Sequence, residues 1–270
     1  MKKLILLLSL ALLIPARASQ AQVVAGNEAG VSMGHVHFLV TDVEPWKKFW
    51  TAMGGVPAKL GPNDVFKFPG VLILVRKSDT NSGPSVGSVV GHIGFHVPNT
   101  NEAMARWKAA GLKTEAGQNP GQGFVWAPDD VTRVEILEDK TQTVPIAFHH
   151  VHFYVADAAG SSNVLEMQSW YAKMFGAKPG KRGQFDAADL PGVNLTFTKS
   201  DMPTVTTKGR NLDHIGFEIK DLEAFCKKAE ANGVKFDMPY TKRPDLGIAL
   251  AFITDPWGTY IELNEGLDKL

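Results

Sequence analysis

Eight histidines occur in this chain, and all of them fall in four short segments of the same build. The segments read Gly34-His35-Val36-His37-Phe38, Gly91-His92-Ile93-Gly94-Phe95-His96, His149-His150-Val151-His152-Phe153 and Asp213-His214-Ile215-Gly216-Phe217. In each, a Phe stands three places after one His, and an Asp or Asn stands seven places after it (Asp42, Asn99, Asp157, Asp221). Imidazole is the commonest metal ligand among side chains and an acid or base near neutral pH. Four copies of one His-bearing segment point to a repeated scaffold that sets imidazoles around a shared site.

The alternation within each segment is that of a strand. After the first, residues 44–53 have helical spacing (Trp46, Phe49, Trp50, Met53) and stop at Gly54-Gly55. Strands are expected at 65–68 and 71–75. The same order recurs three times, with helices at 100–110, 164–175 and 222–232, each followed by a glycine. Their strands are expected at 123–127 and 132–137, at 184–188 and 193–198, and at 249–253 and 259–263. Each unit therefore reads strand, helix, then two or three strands. The halves also echo each other: Pro69-Gly70-Val71 with Lys77-Ser78-Asp79 matches Pro191-Gly192-Val193 with Lys199-Ser200-Asp201. Turn-rich linkers lie at 78–88, 139–145 and 200–211.

With 270 residues, 44% hydrophobic and 21% charged, the chain can build one large domain or two of moderate size. Its start reads as a leader. A basic head, Met1-Lys2-Lys3, precedes an apolar run from Leu4 to Ile14, then Ala16-Arg17-Ala18 and Ser19-Gln20-Ala21 as cleavage candidates. Residues 1–21 are thus expected to be a secretory signal peptide, and the mature protein to be secreted or periplasmic, with no membrane association after cleavage. Loss of Lys2, Lys3 and Arg17 leaves 25 basic against 28 acidic residues, a net charge of −3. That balance carries no footprint for nucleic acid. Cys226 is the only cysteine; it lies in an amphipathic helical pattern, where a buried small hydrophobe is expected. No Walker or Rossmann glycine pattern and no Gly-x-Ser-x-Gly nucleophile signal is present.

Four modules, a His in each first strand and a Glu in the last strand of each even module resemble the vicinal-oxygen-chelate superfamily. That superfamily includes glyoxalase I, type I extradiol dioxygenases, and fosfomycin-resistance and bleomycin-binding proteins. The most specific stretch is Asp255-Pro256-Trp257-Gly258-Thr259-Tyr260-Ile261-Glu262, close to the terminal Asp-Pro-x-Gly-x-x-x-Glu signature. The resemblance implies an α+β fold of four βαβββ modules forming two paired half-open β-barrels. The first domain would span 33–140 (modules 1 and 2) and the second 147–267 (modules 3 and 4). It also implies a divalent metal in the cavity and a small-molecule substrate with two adjacent oxygens.

Strand alternation puts His150 and His152 on one face, and His214, Gly216 and Glu218 on another. If those faces line one cavity, Glu262 completes a two-His-one-carboxylate set, and extradiol dioxygenases give the same three positions. The first half offers His35, His92 and Glu135, although Asp129-Asp130-Val131-Thr132 replaces the terminal glycine turn. Such sets suit Fe(II) or Mn(II), with Zn(II) and Ni(II) as alternatives. His149 is expected to face away from His150. His152 is the candidate acid or base; Tyr240 and Tyr260 are candidate donors to a substrate oxygen. Lys242 and Arg243 stand in an expected loop where they could meet an anion. The resulting expectation is an exported metal-dependent enzyme, extradiol dioxygenase-like or glyoxalase/lyase-like, as a monomer or a homodimer. The alternative is a non-catalytic ligand-sequestering protein of the bleomycin-resistance type.

Overall fold

The computed structural model describes residues 23–81, 83–156 and 163–270; the expected leader and Asp157 lie outside them. Module 1 comprises β1 (Val31–Val40), α1 (Val43–Met53), β2 (Val56–Leu60), β3 (Asn63–Phe68) and β4 (Val71–Lys77). Module 2 comprises β5 (Val90–Val97), α2 (Thr100–Ala109), β6 (Lys113–Ala116), β7 (Gln122–Trp126) and β8 (Arg133–Glu138). Module 3 comprises β9 (Ala147–Val155), α3 (Val164–Phe175), β10 (Lys178–Arg182), β11 (Phe185–Leu190) and β12 (Val193–Lys199). Module 4 comprises β13 (Leu212–Ile219), α4 (Leu222–Ala231), β14 (Phe236–Arg243), β15 (Ile248–Thr254) and β16 (Tyr260–Glu265), followed by a short 3-10 turn, Leu267–Lys269.

Each module is βαβββ. Sequence reading missed β2, β6 and β10 and took β14 for a loop. All four are edge strands, mostly exposed, and β2, β10 and β14 contain a proline, so no buried alternation marks them. The helices begin where an oxygen can cap them. Asp42, Asn99, Asn163 and Asp221 each accept from a backbone N–H of the first turn.

Two eight-stranded sheets result. Sheet I runs β14-β15-β16-β13-β1-β4-β3-β2 and joins modules 1 and 4. Sheet II runs β10-β11-β12-β9-β5-β8-β7-β6 and joins modules 2 and 3. The expected pairing of 1 with 2 and 3 with 4 is therefore corrected: the segments 33–140 and 147–267 each give one module to each sheet. Antiparallel pairing of β1 with β13 and of β5 with β9 closes the two sheets at their centres. The linkers that cross between sheets hold this arrangement. They run side by side, with Val89 N–H donating to Val205 O (3.0 Å), Val205 N–H to Gly87 O (3.1 Å) and Asn211 N–H to Gly83 O (3.0 Å).

The helices and the outward sheet faces share one core. Trp46, Phe49, Trp50 and Met53 of α1 are buried in it, as is Cys226 of α4. Contacts cross from sheet to sheet: Phe68 to Phe95 (ring centroids 5.0 Å) and, from α3 to β13, Phe175 to Phe217 (4.6 Å). Burial pushes the Cys226 thiol up to about 11, in line with a packed side chain. With the apolar residues turned outward, the alternate residues, including the histidines, face the concave sides.

Candidate metal centres

On sheet I, His35 of β1 pairs across to Gly216 of β13, and Gly216 pairs to Glu262 of β16. The imidazole lies against that glycine: a Cβ on Gly216 would come 2.0 Å from His35 Cε1. Only a residue without a side chain leaves this space. His214 Nε2 stands 2.8 Å from Glu262 Oε2, and His35 Nε2 3.2 Å from the same oxygen. His37 Nδ1 lies 3.2 Å from His214 Nε2. Asp213 Oδ2 accepts from His214 Nδ1 (2.5 Å), and Asn264 Nδ2 donates to Glu262 Oε1 (2.8 Å).

Sheet II repeats the plan. His150 of β9 lies over Gly94 of β5, where a Cβ would come 2.0 Å from His150 Cε1. His150 Nε2 is 2.9 Å and His92 Nε2 3.2 Å from Glu135 Oε2. Gln122 Nε2 donates to Glu135 Oε1 (2.5 Å), and His152 Nε2 meets Thr198 Oγ1 at 2.6 Å. Tyr154 stacks on His152 (5.4 Å), over Gly91.

All the expected ligand residues are buried and converge, but in different company. His35 joins His214 and Glu262, while His150 joins His92 and Glu135. The two sets exchange one histidine each because the sheets pair 1 with 4 and 2 with 3. His37 and His152 add a third imidazole to each, and within each group one ligand atom per residue lies within 4.8 Å of all the others.

His149 is also corrected. The β5–β9 register shifts between Gly94 and Phe95, which leaves His149 as the extra residue of a bulge. The bulge turns its ring to the site, where Nδ1 is 2.9 Å from His150 Nδ1 and the ring stacks on His96 (3.7 Å). On sheet I the same bulge position is Gly34, which has no side chain to offer. Tyr260 edges His214 (5.8 Å) and stacks on Phe252 (4.8 Å). Tyr240 packs against the main core instead, on the α4 side beside Lys227. Arg243 pairs with Asp245 (2.8 Å) on exposed β14. Sequence reading did not single out Tyr154 or Arg182, the latter because its strand carries no buried pattern.

The electrostatics of the two centres differ. Burial alone would depress His214, but Asp213 and Glu262 outweigh it and raise the imidazole to about 9. Glu262 is held well below the usual carboxylate range by His214 and His35 despite its burial. On sheet II, burial lowers His150 well below its ordinary value, with the Arg182 charge adding to this. Burial, then His92 and Arg182, lowers His152 to about 3. Glu135 stays ionised, held low by His150 and His92. On sheet II, His150 and His152 are thus held neutral and Glu135 anionic, the protonation states that bind a divalent cation.

The donor sets fit such a cation. His35 Nε2 and His150 Nε2 are buried and lie about 3 Å from a carboxylate oxygen, outside hydrogen-bond geometry. Two imidazoles and a carboxylate converging on one point are the nitrogen and oxygen ligands of an open-coordinated transition metal or zinc.

The family profile described as Glyoxalase/Bleomycin resistance protein/Dioxygenase superfamily matches residues 32–263. Glyoxalase I from Zea mays superposes with a TM-score of 0.66 at 16% identity, over 88% of this chain and 94% of that one. A putative dioxygenase from Bacillus subtilis superposes with a TM-score of 0.63 at 16% identity, over 87% and 85%. At these identities the likeness is one of fold.

Proposed function

Because the chain belongs to the Glyoxalase/Bleomycin resistance protein/Dioxygenase superfamily, we propose that it is a metal-dependent enzyme acting on a small molecule that carries two adjacent oxygens. The reading is supported chiefly by the two buried His-His-Glu convergences, each containing a buried imidazole nitrogen without a well-formed hydrogen bond. Packing alone gives no reason to desolvate three imidazoles around a carboxylate twice in one chain.

His35, His214 and Glu262 would hold one ion, and His92, His150 and Glu135 the other. A divalent cation there would supply Lewis acidity, offsetting negative charge that develops on the two substrate oxygens. His152 is the hydrogen-bonding residue of this reading. It is neutral at pH 7, its Nδ1 is buried without a partner, and Thr198 fixes its other nitrogen. Held at about 3 it is a weak base, so its part in this reading is to hydrogen-bond a substrate oxygen or its proton beside the ligands. Gln122 and Asn264 orient the carboxylates, and His149 and Asp213 orient the outer nitrogens of His150 and His214. Dioxygenase-like and lyase- or isomerase-like chemistry both use this set. The leader-like sequence 1–21 supports export.

Metal analysis by mass spectrometry tests this reading, on protein purified without chelators and reconstituted with Fe(II), Mn(II), Zn(II) or Ni(II). The expected result is bound metal that falls in His92→Ala/Glu135→Ala and in His214→Ala/Glu262→Ala, followed by turnover of a catechol or a diketone. No metal under any of these conditions overturns the enzyme reading in favour of ligand sequestration.

A further inference from the structure

The two concave faces can be compared position by position, because their strands share one register. Leu72 and Leu74 of β4 pair with His35 and His37; Asn194 and Thr196 of β12 pair with His150 and His152. Leu60 ends β2 where Arg182 ends β10, and Val65 of β3 matches Ala187 of β11. Around the sheet I centre, Leu60, Val65, Leu72, Leu74, Ile248 and Leu250 form a second apolar cluster. The C-terminal turn closes it: Leu267 and Leu270 pack in, Glu218 accepts from Gly266 N–H (2.7 Å) and Leu267 N–H (3.2 Å), and Lys67 Nζ donates to Leu270 O (2.5 Å). That face is filled by the chain itself.

Sheet II has polar or smaller side chains at those positions. Arg182 Nε donates to Thr196 Oγ1 (2.7 Å), Thr196 Oγ1 to Asn194 Oδ1 (2.7 Å), and Asn194 Nδ2 to Asp189 Oδ1 (2.6 Å). The guanidinium is half-buried and, among the described residues, forms no ion pair within 4.0 Å. Its charge is felt at His96, His149, His150 and His152. The Glu135 carboxylate acts on this charge from beyond ion-pair distance, so the partly desolvated guanidinium has no carboxylate in contact, and its planar fork matches the two oxygens of an acid group.

We propose that the sheet II centre is the substrate site and that Arg182 binds an acidic group of the substrate, so the substrate is a carboxylic or comparable acid that also bears two adjacent oxygens. The inference rests on the metal-dependent reading. The sheet I centre, plugged by leucines, takes no polar substrate.

Zn(II)-loaded protein titrated calorimetrically with two hydroxamates tests this. Acetohydroxamate offers two adjacent oxygens; succinic monohydroxamate offers the same pair plus a carboxylate. The expected result is about tenfold or more tighter binding of the carboxylated probe, the effect of one charge-assisted contact. The gap should close in Arg182→Gln with zinc content and acetohydroxamate affinity retained. It should persist in part in Arg182→Lys and narrow with added salt in the unaltered protein. His214→Ala/Glu262→Ala should keep the gap, and His92→Ala/Glu135→Ala should abolish hydroxamate binding. Equal affinities for the two probes, a gap that survives Arg182→Gln, or loss of binding in the sheet I variant rather than the sheet II variant would each overturn the proposal and leave the metal reading standing. Protein that binds no zinc would overturn the metal reading itself.

Discussion

On sheet I, the residues beside the two β1 histidines are Leu72 and Leu74; on sheet II, Asn194 and Thr196 stand beside the two β9 histidines. The ligand types are the same, and the surroundings are reversed. The buttress of the carboxylate differs in a similar way. Glu135 receives its amide from Gln122 on β7, whose cross-strand partner is Leu137; Glu262 receives it from Asn264 on β16, whose partner is Leu250. The amide and the leucine have traded strands, and the hydrogen bond to the outer carboxylate oxygen is kept. Asp213, which pairs with His214, corresponds to Gly91, which makes room for Tyr154. A duplicated scaffold can hold the ligand geometry in both copies while the side chains around it are apolar in one copy and polar in the other.

Four experiments test this contrast. The largest effect is expected from removing ligands. His92→Ala/Glu135→Ala should lower turnover by roughly a thousandfold or more, the several kcal/mol that a Lewis acid supplies. His214→Ala/Glu262→Ala should lower it far less while costing an equivalent of metal, so parallel kinetics and metal analysis decide which sheet works. Next come the glycines under the imidazoles. Gly94→Ala and Gly216→Ala each force a methyl to within 2.0 Å of a histidine ring. Each should cost about 1–3 kcal/mol in denaturant unfolding and release metal from its own sheet only.

A smaller, local effect is expected for the amide buttresses. Gln122→Leu should weaken metal binding on sheet II by about 10–100-fold and leave sheet I unchanged, and Asn264→Leu should do the reverse, read by competitive chelator titration. The smallest effect belongs to Tyr240→Phe. Since Tyr240 packs on the α4 side, turnover should be unaltered and stability should stay within about 0.5 kcal/mol. A large loss of activity there would contradict the placement of the site.

Much of this was legible in the residues. The fourfold His segment, the glycine-stopped helices and the terminal turn before Glu262 give the module and its inward-facing ligands, because strand period and helix punctuation are local properties of sequence. The six His and Glu residues that converge could be named individually. The bulge that turns His149 towards His150 could not, since it depends on a register shift against β5. Arg182 stayed hidden on an edge strand with no buried pattern.

The repeat, the strand faces and the donor types follow from the order of residues alone. That order did not determine which repeats meet, since all four modules offer similar first strands to a partner. Tertiary structure settled that through the clasped linkers at 83–89 and 205–211, which bring β1 to β13 and leave β5 to β9. That pairing decided which histidine faces which glutamate. It also set leucines around one centre and Arg182 beside the other, because side chains far apart in the chain come together only after the sheets have formed.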